Sequence, residues 1–173
     1  MSIIIGIDPG KNGAATVLDF HGRASFFRLS YDDRNFLDTD KLLSWIKSLE
    51  RYDAIFIEKV QGHSNSGTNK GAFSSFSMFN LGVSYGQLLG SISTIISTSF
   101  IKLVPPQTWQ ARLHKGLSRE LKAKERSLLA YQNLYPDLPI KPFRKGGKPH
   151  DGVVDSLLIA TYGKLILEEE TLK

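Results

Sequence analysis

A mixed α/β fold built on a five-stranded sheet is predicted by three features of the sequence. First, the run Ile3–Ile5 with Ile7 is too continuously apolar for a half-exposed strand, so it reads as a central strand buried on both faces. Second, turn residues follow at short intervals, Pro9-Gly10, Asn12-Gly13 and then His21-Gly22, which is the punctuation of an antiparallel three-strand meander. Third, beyond residue 38 the order becomes helix, strand, helix, strand, helices, which adds two parallel strands to the meander and flanks the sheet with helices.

Ala14–Leu18 and Ala24–Leu29 complete the meander. Asp38 or Asp40 caps a helix running to about Arg51, with Leu42, Leu43, Ile46 and Leu49 on one face. Ala54–Ile57 is an apolar strand that ends at Glu58, parallel to the strand that ends at Asp8. Residues 61–75 are a Gly/Ser/Asn loop, and a long helix fills 76–97. Phe100–Val104 is the fifth strand, stopped by Pro105-Pro106. Helices follow over about 106–114, 121–134 and 151–167, the last two separated by a basic Pro/Gly segment at 139–149. No repeat or linker divides the chain, so residues 1–173 are read as a single domain.

Hydrophobic residues make up 41% and charged residues 23%, which fits a globular chain and excludes disorder. Cysteine is absent, so a disulfide framework and a thiolate metal site are excluded; any metal must sit on oxygen or imidazole. The N-terminus lacks a basic segment before its apolar run and does not read as a signal peptide. Residues 71–101 carry no charge, but their many Ser, Thr and Asn residues favour a buried helix and strand over a membrane span. Charge is uneven. Residues 102–148 hold eleven Lys/Arg against Glu120, Glu125 and Asp137, a balance of +8, while the rest of the chain has eleven basic and fourteen acidic residues, or −3. That asymmetry is expected for a polyanion partner, or for a solvated basic face.

Four acids fall where chemistry is placed in such folds. Asp8 and Glu58 end parallel strands and so emerge at the same carboxyl edge, where open α/β sheets bind ligands. Asp151 and Asp155 stand four apart at the start of an apolar helix and share one face. Brought together, four carboxylates repel; Mg²⁺ or Mn²⁺, hard ions that favour oxygen ligands, relieve the repulsion. A pair of such ions can drive phosphodiester hydrolysis. Each acid also has an ordinary role. Asp8 can begin a turn, Glu58 can pair with Lys59 or an arginine, and Asp151 can be the helix N-cap after Pro149-His150. Asp155 is hardest to assign otherwise, because the helix around it is apolar (Val153, Val154, Leu157, Leu158, Ile159).

IGIDPGKNGAA, FIEKV and HDGVVDSLLIA, in this order and at these separations, resemble the RuvC-like Holliday junction resolvases of the ribonuclease-H-like superfamily over about residues 3–166. VPPQTWQ and KERSL are similar to phrases of the phage-type branch. The resemblance implies a ribonuclease-H-like fold. It also implies a homodimeric, metal-dependent endodeoxyribonuclease of the cytoplasm or an infected host, resolving four-way DNA junctions in recombination and repair. Its acids fall on Asp8, Glu58 and Asp155. In many bacterial members a further acid lies three residues before the last, at Gly152 here; this chain offers Asp151 instead, with His150 beside it to assist. Lys124 matches the family's basic residue for the scissile phosphate, its alternative being a solvated lysine at a helix start. The aromatic wedge of bacterial relatives is replaced by Gln61. Phe73 or Phe76 can substitute, although Phe76 reads as core from its spacing with Phe79. Gly82, Gly86 and Gly90 lie four apart on one helix face, a pattern for close backbone approach to the chain's own sheet or to a second subunit.

Two other functions remain open to such a sequence. One is a broader nuclease for flaps and forks. The other is a catalytically silent junction- or RNA-binding protein, which the intact carboxylates argue against. An actin-like phosphotransferase is excluded by length and by the lack of a second phosphate loop, and no GxxxxGK[ST] loop is present.

Overall fold

The computed structural model describes residues 3–34, 36–60, 75–140 and 147–172, with Ser75 described by its backbone alone. Strand β1 (Ile3–Asp8) lies at the centre of a five-stranded sheet of order β3-β2-β1-β4-β5. It pairs antiparallel with β2 (Ala14–Asp19), which pairs antiparallel with β3 (Ala24–Arg28). On its other side it runs parallel to β4 (Ala54–Glu58), which runs parallel to β5 (Ile101–Val104). The meander plus two parallel strands is the predicted sheet. Ile7 stands opposite Ile57, so the two strand-ending acids leave the sheet side by side.

Because side chains alternate along a strand, the sheet separates two cores. Ile5, Ile7, Ile55 and Ile57 face α1 (Thr39–Lys47) and α2 (Ser75–Ser93), packing with Leu42, Ile46, Leu88 and Ile92. Ile4, Ala54 and Phe56 face α3 (Pro106–Leu113), α4 (Ala123–Leu134) and α5 (Asp151–Thr171), packing with Trp109, Ala130, Leu157 and Leu158. The same alternation sends Gly6, Asp8 and Glu58 to the α5 side. Gly6 is required there. A Cβ on it would lie 2.3 Å from Ala160 N and Ser156 O, so the backbone of α5 rests directly on β1.

Helix ends depart from expectation for local reasons. Helix α2 stops at Ser93 instead of 97, because the Thr94 N–H and hydroxyl both donate to Ser91 O, at 3.1 and 2.7 Å. Asp38 is the cap of α1, accepting from Lys41 N at 3.3 Å, and the helix ends at Lys47, where the Ser48 hydroxyl donates to Trp45 O at 2.7 Å. Helix α5 runs on to Thr171, its last turns tied down by Arg112–Glu169 and Lys102–Glu170 ion pairs. Among the described residues no helix is long and apolar enough to cross a membrane. Gln61, Phe73 and most of the predicted 61–75 loop lie outside the described residues, as do residues 141–146 of the basic segment.

Candidate active site

Asp8, at the end of β1, has its carboxyl Oδ1 fixed by the Gly10 N–H at 2.9 Å. Burial pushes its pKa up to about 6; the Gly10 bond opposes this, the Asp151 charge adds to it, and Lys124 offsets part. Glu58, one strand away, is pushed up to about 7, first by burial and then by the charge on Asp8. Among the described residues it makes none of the salt bridges anticipated from sequence; its Oε2 accepts the indole N–H of Trp109 at 2.8 Å. Asp155, one turn into α5, is also pushed up to about 7, by burial and by the charge on Asp8, with Glu58 and Asp151 adding and a Ser127 hydroxyl bond opposing. Its Oδ1 is buried and accepts no hydrogen bond. Three carboxylates from three elements thus sense one another's charge at one edge of the sheet.

Asp151 behaves differently. It is not the N-cap of α5: that place is taken by His150, whose Nδ1 accepts the Val153 N–H at 3.3 Å. His150 is 2% exposed, a buried residue. Burial and the Arg28 charge hold its pKa low, which keeps the ring free to accept that bond. Asp151 is the first helical residue, and its Oδ2 pairs with Lys124 Nζ. Against the cost of partial burial, that hydrogen bond and charge hold Asp151 below the usual carboxylate range. Lys124 is pushed up in turn, by the Asp151 bond first and by the charges of Asp155 and Asp8 as well. Its place in the first turn of α4 is set by Glu125, which turns back to accept the Lys122 N–H at 2.9 Å.

The position three before Asp155 carries no side chain for a steric reason. A Cβ on Gly152 would lie 1.9 Å from Asn12 O, so α5 begins in contact with the β1–β2 turn and only residue 151 has room for an acid.

Asp8 and Glu58 wall a cleft with Gly10, Leu81 and Gln107; Asp151 and Asp155 wall one with Lys124, Ser127 and Lys148. The donors are all oxygens, and Asp155 Oδ1 lacks a partner, so this set fits a hard divalent cation. Among the described residues, no three His, Asp or Glu side chains already stand at ligating positions, so the carboxylates must draw together to share an ion.

Sequence reasoning did not anticipate three buried supports, Trp109, His114 and Ser127. The signal available was Trp109 itself, since a buried indole needs an acceptor for its N–H. Two further expectations change. Phe76 is 73% exposed and Phe79 is 68% exposed, so Phe76 is not core. Among the described residues, a Cβ on Gly82, Gly86 or Gly90 would meet nothing within 4 Å, so these glycines do not make room for the chain's own sheet.

No family model and no curated protein matches the sequence. Among solved structures, RuvC of Thermus thermophilus matches with a TM-score of 0.58 and 16% identity, over 98% of this chain and 97% of that chain. That likeness, with the five-stranded mixed sheet, establishes that this chain has a RuvC-like, ribonuclease-H-like fold.

Proposed function

We propose that this chain is a single-domain, divalent-metal-dependent endonuclease that cuts branched DNA, four-way junctions above all, and belongs with the phage-type RuvC-like resolvases. The observation that carries this reading is the placement of Asp8, Glu58 and Asp155 at one edge of the sheet, each raised by burial and then by the charge of another acid, beside the Lys124–Asp151 pair. Asp8, Glu58, Asp155 and Asp151 would hold Mg²⁺ or Mn²⁺, two ions per site. When bound, these ions supply the activation of water and the stabilisation of the leaving oxygen in phosphodiester hydrolysis. The protein's own groups do the rest. The Gly10 N–H and the Trp109 indole orient Asp8 and Glu58. Lys124, held at the carboxylates by Asp151, presents a cation where a scissile phosphate arrives. Exposed Lys115, Arg119 and Lys122, on the α3–α4 connection, bind backbone phosphates, which carries affinity and not sequence.

The reading is tested on one gel, with matched four-way, flap and linear duplexes in Mg²⁺, Mn²⁺ or EDTA. Paired cuts in the four-way junction, lost in EDTA, are expected. Equal cutting of flaps and junctions would move the protein to the broader flap and fork nucleases. No cutting of any substrate would leave a binding protein. Asp151→Asn separates the roles of the fourth acid. Because His150 caps the helix, the melting temperature should hold, while cleavage falls by orders of magnitude if Asp151 is a metal ligand. Near-wild-type cutting would place Asp151 outside the ligand set and raise the standing of His150.

Paired cuts need two sites in one complex, which a C₂ dimer provides. The open glycine face of α2, with Phe76 and Phe79 exposed on the same helix, is the surface we assign to it. Among the described residues, a Cβ at Gly86 meets nothing within 4 Å, so Gly86→Leu should fold. It should sediment as a monomer and nick junctions singly. A wild type that is monomeric at micromolar concentration, with or without junction DNA, would defeat the assignment.

A further inference from the structure

Glu58 and Asp155 come from different elements, β4 and α5, and are separated by 97 positions (155 − 58). What fixes them relative to each other is a small buried assembly on the α3 side of the sheet. Trp109, on α3, is 0% exposed and spends its one hydrogen-bonding group on Glu58 Oε2 at 2.8 Å. Its ring meets the His114 ring edge-on, centroids 5.7 Å apart at 78°. His114, immediately after α3, is 6% exposed, and its Nε2 lies 3.3 Å from Ser127 Oγ. Ser127, on α4, is 3% exposed and lines one cleft with Asp155, where its hydroxyl favours the charged form of that carboxyl.

The polarity of this chain follows from what each group can do. An ionised carboxylate only accepts, so Ser127 donates to Asp155. The Ser127 oxygen then accepts from His114, which fixes the proton of the imidazole on Nε2. His114 Nδ1 is buried and makes no hydrogen bond, so nothing competes for the other tautomer. One carboxylate is therefore held by the indole and the other by the hydroxyl, and the edge-on Trp109–His114 contact ties the two together.

We propose that Trp109, His114 and Ser127 are positioning residues that limit how Glu58 and Asp155 move as the two draw together round one divalent cation. The proposal rests on the metal-dependent reading above. Outer-shell partners of metal-ligating carboxylates commonly change affinity by about 10- to 100-fold, and that is the effect expected here.

The test is Mn²⁺ binding by the full chain, without DNA, followed by calorimetry and by the resonance signal of free Mn²⁺. Ser127→Ala and Trp109→Phe should each weaken Mn²⁺ binding by about tenfold or more. The double variant should lose less than the product of the two, because the two grips share one support. His114→Gln keeps an N–H near the position of Nε2 and should bind Mn²⁺ close to wild type, whereas His114→Leu should lose as much as Ser127→Ala. A merely structural role would not distinguish glutamine from leucine in this way. Should Trp109→Phe fail to fold, Ser127→Ala and the two His114 variants still decide the matter. Folded Ser127→Ala and His114→Leu proteins with wild-type Mn²⁺ affinity would overturn the positioning role and leave the metal reading standing. A wild type that binds no Mn²⁺ would overturn the metal reading itself, and the positioning role with it.

Discussion

Asp8→Asn protein should bind a four-way junction at least as tightly as wild type and fail to cut it, with cleavage reduced by several orders of magnitude. The substitution keeps shape and keeps the bond from Gly10 N–H, since an amide oxygen accepts as a carboxylate oxygen does. It removes the charge that raises both Glu58 and Asp155. It also removes a negative group from the path of an incoming phosphate, which is why binding is preserved or improved. Glu58→Gln and Asp155→Asn should behave alike. Mobility-shift titration in EDTA and cleavage in Mg²⁺, run on the same preparations, check both halves. Full cleavage by Asp8→Asn would remove this cluster from the reaction.

In EDTA, thermal stability should fall as pH rises from about 5 to 8. Asp8 at about 6, Glu58 at about 7 and Asp155 at about 7 all sit above their usual values of 3.8, 4.5 and 3.8. A carboxyl raised in the folded state keeps its proton over a range where the unfolded chain has released it. Its contribution is therefore whole below the unfolded pKa and is lost as pH climbs through the folded one. Three such groups together amount to several kcal/mol, or on the order of 10 °C in melting temperature for a chain of this size. Asp151, Asp32 and Asp38, held low by their bases and hydrogen bonds, work the other way and set a loss at still lower pH. Mn²⁺ should restore stability at pH 8 and do little at pH 5. Asp155→Asn should melt higher than wild type at pH 8 in EDTA. A wild-type melting temperature that climbs from pH 5 to 8 in EDTA would contradict the raising of these carboxyls by burial and by neighbouring charge.

Much of this arrangement was legible in the sequence because the decisive signals are local. An apolar run that ends in an acid marks both β1 and β4, and alternation then fixes which face each acid takes. The apolar surroundings of Asp155 likewise announced a carboxylate held against a core. The parts that escaped are those where partners lie far apart in the chain. Nothing near Glu58 points to Trp109, which is 51 positions away. Local capping preference favours Asp151 over His150, but Lys124 draws Asp151 aside and leaves the cap to the histidine. The spacing of Phe76 with Phe79 is helical, yet helical spacing identifies a stripe without saying what covers it, and here the two rings face outward. The glycines of α2 are open for the same reason.

The contact between Gly152 and Asn12 limits how this site can change over evolutionary time. Moving the third acid by one position requires a side chain at 152, and that side chain displaces the helix start from the turn that Asp8 also anchors. No single substitution makes the move without disturbing two acids at once. The length of the turn over residues 9–13 and the start of α5 are thus sterically coupled, and a side chain at 152 requires a compensating change in that turn.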